Sequence, residues 1–128
     1  MEYSTGLILI AIMQYMLFSA QVGMARGKYG VVAPSTTGHE IFERIYRVQI
    51  NTLEQLIIYI PGMVAFGLFV SAVWVVIPGA LFIIGRQVYA YAYVNNPSKR
   101  TLGMVIGFLS NVTLIAGSFA GVVMHIIG

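Results

Sequence analysis

The sequence predicts an all-α membrane protein, a bundle of four transmembrane helices. Three observations carry that expectation. Of 128 residues, 59% are hydrophobic and 9% are charged, whereas soluble domains carry about 25% charged residues. Three stretches, 6–25, 55–85 and 101–128, contain no Asp, Glu, Lys or Arg. The first has the length of one spanning helix, about 20 residues, and the second is long enough for most of two. Four spans use nearly the whole chain, so one transmembrane domain over 1–128 is expected and no soluble domain.

The first span is expected at about 6–26. Its leading residues carry Glu2 and no Lys or Arg. The apolar run also exceeds the h-region of a signal peptide, so a retained span is expected. Pro34, Ser35 and Gly38 then mark an irregular loop. Thr37 or Gly38 is expected to cap the second helix, with Glu40 in its first turn, and that helix runs from about 40 to 70. A break near Ser71 precedes a third helix at about 78–95, opening on Pro78, a residue tolerated in a first turn. "NNPSKR" has the chemistry of a tight turn. The fourth helix fills about 100–127. Its Gly103/Gly107 and Gly117/Gly121 pairs let neighbouring helices approach closely. Asn111 and Ser118, seven residues apart, read as helix–helix hydrogen bonds.

The basic residues set an orientation. They are Arg26, Lys28, Arg44, Arg47, Arg86, Lys99 and Arg100. With four spans, the first and third loops share a side, and those loops with the adjoining helix ends hold every one. The second loop and both termini hold none. The positive-inside rule then puts loops one and three in the cytoplasm and both termini outside. The chain has no cysteine, which excludes disulfides, thiolate metal sites and a protein thiol nucleophile. His39 and His125 are expected on opposite sides, so no shared metal is expected. No nucleic-acid partner is expected either.

Within "FERIYRVQINTLEQLIIYIPG" (42–62), Arg44, Arg47, Asn51 and Glu54 recur at spacings of three, four and three. That puts all four on one helix face. Glu54 falls about 10 Å below the membrane entry and Arg86 about 14 Å, at 1.5 Å per residue. Tyr89 and Tyr93 continue the Arg86 face. Two helices therefore bring polar stripes into one half of the bilayer, and such stripes face a protein interior or a wet cavity. Glu54 can pair with Arg86, and Glu43 with Arg47. Arg26, Arg44 and Arg100 are left with few acids to answer them, and clustered unpaired cations are destabilising when partly buried. An anionic ligand supplies what the sequence lacks: carboxylates or phosphates for the arginine forks, with an amine for Glu54. Other readings stand beside this one. Arg44 and Arg47 can be anchors that snorkel to water. Glu54 and Arg86 can be a structural pair, and Tyr89, Tyr91 and Tyr93 a belt of interfacial aromatics.

The stretches "QVGMARGKYGV" (21–31), "PSTTGHEIFERIYRVQINTLEQ" (34–55) and "GRQVYAYAYVNNPSKR" (85–100) resemble the MAPEG family, membrane-associated proteins in eicosanoid and glutathione metabolism. The resemblance runs from the first span to the start of the fourth. It points to the branch of microsomal glutathione transferase 2 and leukotriene C synthase. It implies a homotrimer with sites at subunit interfaces and glutathione as cosubstrate. Glutathione has two carboxylates, an amine and a thiol, which answers the charge argument. The resemblance assigns Arg47, Asn51 and Glu54 to the tripeptide, with Gln49 as a further polar contact and Arg26 reaching in from a neighbouring subunit. Tyr89 and Tyr93 line the pocket. Arg100 matches the arginine beside the glutathione sulfur, where a guanidinium stabilises the thiolate nucleophile. The implied activity is conjugation of glutathione to lipophilic electrophiles dissolved in membrane lipid, with reduction of lipid hydroperoxides as a second activity.

Gly27 takes the place of a second consecutive arginine in that branch, and Gln55 the place of an aromatic. Two other functions compete: a non-catalytic lipid-binding member of the same family, and a small four-span multidrug exporter with a membrane-embedded glutamate. A cation exporter should not surround its acid with arginines, which weighs against the last. The short C-terminus points to a bacterial inner membrane.

Overall fold

The computed structural model describes residues 1–128 and consists of four long helices. They are α1 (Glu2–Tyr29), α2 (Glu40–Phe69), α3 (Val76–Asn95) and α4 (Thr101–Ile127), with a single 3-10 turn, Pro97–Lys99, between the last two. α1, α2 and the segment Pro97–Ile127 are long and apolar enough to cross a membrane. α3, at 20 residues, spans about 30 Å at 1.5 Å per residue, the thickness of a hydrocarbon core. α1 and α4 occupy opposite corners, with α2 and α3 between them.

Local chemistry explains each boundary. α1 stops at Gly30, whose φ of 70° is left-handed. Glycine takes that conformation without a Cβ penalty, and the next N–H, on Val31, returns to the Arg26 carbonyl. The cap of α2 is His39, not Thr37 or Gly38: its Nδ1 accepts from the Ile41 N–H at 3.2 Å. The imidazole also lies 4.2 Å from the Tyr29 ring, so packing against the end of α1 selects it as the cap. The break after α2 covers 70–75 and includes Ser71 as expected; the Ser71 hydroxyl accepts from the N–H groups of Val73 and Trp74. α3 starts at Val76, two residues before Pro78, which leaves Pro78 in the first turn. At the last turn, Asn96 Oδ1 accepts from the Ser98 N–H, and Pro97 opens the 3-10 segment.

Packing at the end away from the basic loops is apolar and close. Tyr59 and Phe82 stack at 4.2 Å, and Met63, Val75 and Leu114 are fully buried around them. Gly103, Gly117 and Gly121 of α4 act as spacers, whereas a Cβ on Gly107 would meet only the Arg86 Cδ, at an ordinary 3.7 Å. A Cβ on Gly103 would lie 2.6 Å from the Tyr89 Cα and 2.8 Å from the Gly85 carbonyl oxygen. A Cβ on Gly121 would lie 2.6 Å from the Phe69 carbonyl oxygen. Asn111 donates to Gln55 on α2, and Ser118 to the Gly62 carbonyl, so both are interhelical bonds. Most large side chains on the outer surface are apolar, Leu9, Met16, Phe108 and Phe119 among them. In water such a surface is an interaction or aggregation site; in a bilayer it is the lipid face.

Candidate functional site

The polar residues converge on the end where α2 begins and α3 ends. The buried stripe of α2 there is Val48, Thr52 and Leu56, at the four-residue spacing of one helix face. Arg44, Arg47, Asn51 and Glu54 run beside that stripe rather than on it, so they border the bundle interior and stay accessible. Gly38, His39, Glu40, Glu43, Arg44, Arg47, Tyr93 and Pro97 line an open recess of about 440 Å³. One turn deeper, Asn51, Glu54, Gln55, Arg86, Tyr89 and Met104 line a second, of about 220 Å³.

Tyr89 joins the helices. It is buried, its hydroxyl accepts from Asn51 Nδ2 at 2.6 Å, and its ring stacks on Tyr93 at 5.5 Å. Tyr91 points outward and is 74% exposed. The three tyrosines therefore do not form one belt: two belong to the recess and one to the surface.

Two expected ion pairs do not form. Arg86 is 3% exposed and uses Nε and Nη2 on the Thr52 hydroxyl, at 3.3 and 3.1 Å, with its guanidinium 4.2 Å from the centre of the Tyr89 ring. Glu54 does not reach it, because Arg86 packs against the buried stripe of α2 and Glu54 lies off that stripe. Glu43 accepts from the Gly38 N–H at 3.3 Å instead of pairing with Arg47. The one ion pair is Arg44 with Glu40, and Arg44 also donates to the Val94 carbonyl at 3.2 Å. Arg47 and Glu54 are thus left unpaired along the recess, a cation and an anion with free coordination.

Three further residues lie elsewhere. Gln49 turns to α1, where Nε2 donates to Ser19 Oγ at 2.7 Å and to the Tyr15 hydroxyl at 3.5 Å. Arg26 donates to the Ser35 carbonyl at 2.7 Å, its guanidinium 5.0 Å from the Phe42 ring centre. Neither lines the recess that holds Asn51 and Glu54. Arg100 is exposed at the start of α4, donating to the Pro97 carbonyl at 2.9 Å. Met104 and Phe108 follow it at four-residue spacing, on one face of α4. Gln55, which takes the place of an aromatic, stands in the wall of the deeper recess. Thr52 and Met104 join the site without a charge or motif to mark them; their four-residue spacing from Val48 and Arg100 is the one signal the sequence offers.

The arrangement suits a zwitterionic ligand. The outer recess carries both signs of charge, with Glu40 and Glu43 beside Arg44 and Arg47, and the deeper one sets Glu54 near a buried guanidinium; the stacked Tyr89 and Tyr93 rings lie between them.

Comparison with known proteins agrees with this architecture. The chain is 40% identical to an uncharacterized protein of Synechocystis sp., over 91% of this chain and 85% of that one. It is 36% identical to microsomal glutathione S-transferase 2 of Homo sapiens, over 80% of this chain and 71% of that one. With leukotriene C4 synthase of Bos taurus the identity is 27%, over 91% and 78%. The model of the MAPEG family matches residues 4–120, so the four-helix chain with its charged recess belongs to the MAPEG family.

Proposed function

We propose that this protein is a membrane-embedded glutathione transferase, joining the glutathione thiolate to lipophilic electrophiles that reach it through the bilayer. The observation that carries the reading is the set along two neighbouring recesses: Arg47 and Tyr93 on the outer one, Glu54 and Asn51 with Tyr89 on the deeper one, Arg47 and Glu54 both without protein partners. A tripeptide with two carboxylates and an amine answers both signs of charge. Family membership and the glutathione transferase among the relatives support it.

In this reading Arg47 takes a glutathione carboxylate, Glu54 the amine, and Asn51 with Tyr89 a backbone amide. Arg100 supplies the chemistry. A free thiol has a pKa near 8.5, and a guanidinium beside the sulfur favours the thiolate, each unit of lowering representing about 1.4 kcal/mol. The working unit is a homotrimer. Arg26 and Gln49 border a different face from Asn51, so they join the same ligand only when a neighbouring copy brings them. The basic end faces the cytoplasm of a bacterial inner membrane, following the placement of Lys and Arg. Reduction of lipid hydroperoxides by the same thiolate is a second activity.

The test is to mix purified, lipid-reconstituted protein with glutathione and follow ultraviolet thiolate absorbance, then turnover of chlorodinitrobenzene. Thiolate formation and conjugation are expected. Lipid binding with neither signal would instead mark a non-catalytic member of the family.

A further inference from the structure

We propose that Gln55 and Arg86 form a donor pair for the carbonyl oxygen of the second substrate, which makes that substrate a lipophilic α,β-unsaturated ketone or aldehyde. This rests on the transferase reading and names its substrate class.

Arg86 is buried, and two of its three nitrogens are spent on Thr52. Nη1 makes no hydrogen bond, and no carboxylate pairs with the group. Gln55 is oriented by Asn111, whose Nδ2 donates to Gln55 Oε1 at 3.0 Å and faces the Gln55 main-chain carbonyl at 3.4 Å. Only a donor can face that carbonyl. The Gln55 oxygen is therefore turned to Asn111, and its Nε2 is left as a free donor. Both residues line the polar recess that holds Asn51 and Glu54. Both also line an adjoining cavity of about 260 Å³ whose other walls are Met104, Val105 and Phe108. Phe108 is 64% exposed on the outer surface of the chain. Two unpartnered N–H donors thus stand where a polar recess meets an apolar notch.

An oxygen acceptor on an apolar body fits that junction. Depth favours a neutral one. Arg86 lies nine residues before Asn95, the end of α3, about 14 Å along the axis. Carrying a carboxylate that far into a bilayer is costly, whereas a ketone carries no charge until it reacts. Arg100 stands one turn, about 6 Å, before Met104 on the same face of α4. The sulfur held by Arg100 and the oxygen held by the donor pair would then lie at opposite ends of one conjugated system.

The step balances without an oxidant. The thiolate sulfur bonds to the β-carbon, the C=C pair shifts to form the enolate C=C bond, and the C=O pair moves onto oxygen. Charge develops on that oxygen, where preorganised donors stabilise it most. Water then protonates the α-carbon, returning the proton the thiol released.

The experiment uses reconstituted full-length protein with two probes, benzylideneacetone, a conjugated ketone, and benzyl chloride, which has no oxygen acceptor. In Gln55→Met, the ratio of kcat/KM for the ketone to that for the chloride should fall at least about tenfold, less than the roughly 100-fold loss of an oxyanion donor because Arg86 remains. Gln55→Glu keeps the acceptor for Asn111 but lacks the donor, and should fall likewise. The carbonyl stretch of bound benzylacetone, an unreactive saturated ketone, should lie lower in wild type than in either variant. An unchanged ratio in both variants overturns the donor pair and leaves the transferase intact. Wild-type protein that conjugates the chloride but not the ketone overturns the donor pair alone, and protein that conjugates neither probe nor chlorodinitrobenzene overturns both.

Discussion

The two ends of the bundle solve opposite problems. At the far end, Tyr59, Met63, Phe82 and Leu114 fill the interior, and even the Tyr59 hydroxyl is satisfied, donating to the Gly79 carbonyl at 3.1 Å. At the basic end, Arg47, Glu54 and one nitrogen of Arg86 remain without protein partners, beside recesses of about 440 and 220 Å³. Interiors normally pack densely and satisfy their polar groups. The basic end has buried apolar clusters of its own, around Phe18 and Tyr89 and around Val22 and Phe42, so the difference lies in the charged recesses beside them, where Arg47 and Glu54 stay exposed and free to meet a ligand.

That contrast can be broken from either side. The largest effect is expected at the packed contact that holds α4. Gly103→Val must displace the Tyr89 main chain, beyond the roughly 1–3 kcal/mol of ordinary overpacking. Little folded protein should be recovered from detergent by size exclusion. Next comes Arg100→Ala, which should lower conjugation of chlorodinitrobenzene by about 100-fold or more, the usual scale for loss of a transition-state donor. Its elution volume should be unchanged, because Arg100 is exposed and bonds only to its own turn. Glu54→Gln should weaken glutathione binding about tenfold, as expected for losing a charged hydrogen bond of about 1.5 kcal/mol. Calorimetry should detect this, while turnover at saturating glutathione changes less. The smallest effect belongs to Ser118→Ala, whose bond to Gly62 spans 3.4 Å. About 0.6 kcal/mol, the mean for interhelical hydrogen bonds in a membrane, should appear in unfolding measurements with activity intact.

Much of the architecture was legible in the sequence because composition and spacing are local. The apolar runs announce four helices, "NNPSKR" announces the turn, and the glycine pairs of α4 announce close approach. The polar stripe of α2 was legible for the same reason, since its period needs no knowledge of the neighbour. Pairing was not legible. Whether Arg86 meets Glu54 or Thr52 depends on how α2 is rotated against α3, and residues two apart on a helix point about 160° away from each other at 3.6 residues per turn. Gln49 shows the same limit: it sits between Arg47 and Asn51 in sequence but turns to Ser19 on α1. The cap of α2 depended on Tyr29 arriving from another helix.

The contact of Gly103 with the Tyr89 main chain reaches further than packing. It welds the arm bearing Arg100 to the arm bearing Arg86 and Tyr89, so those three groups share one rigid frame. Any adjustment to a bulky guest must then be made by the opposite wall, α2, whose polar tie to α1 runs through Gln49 and Ser19. Breadth of substrate choice would be tuned along that softer seam, leaving the reacting geometry untouched.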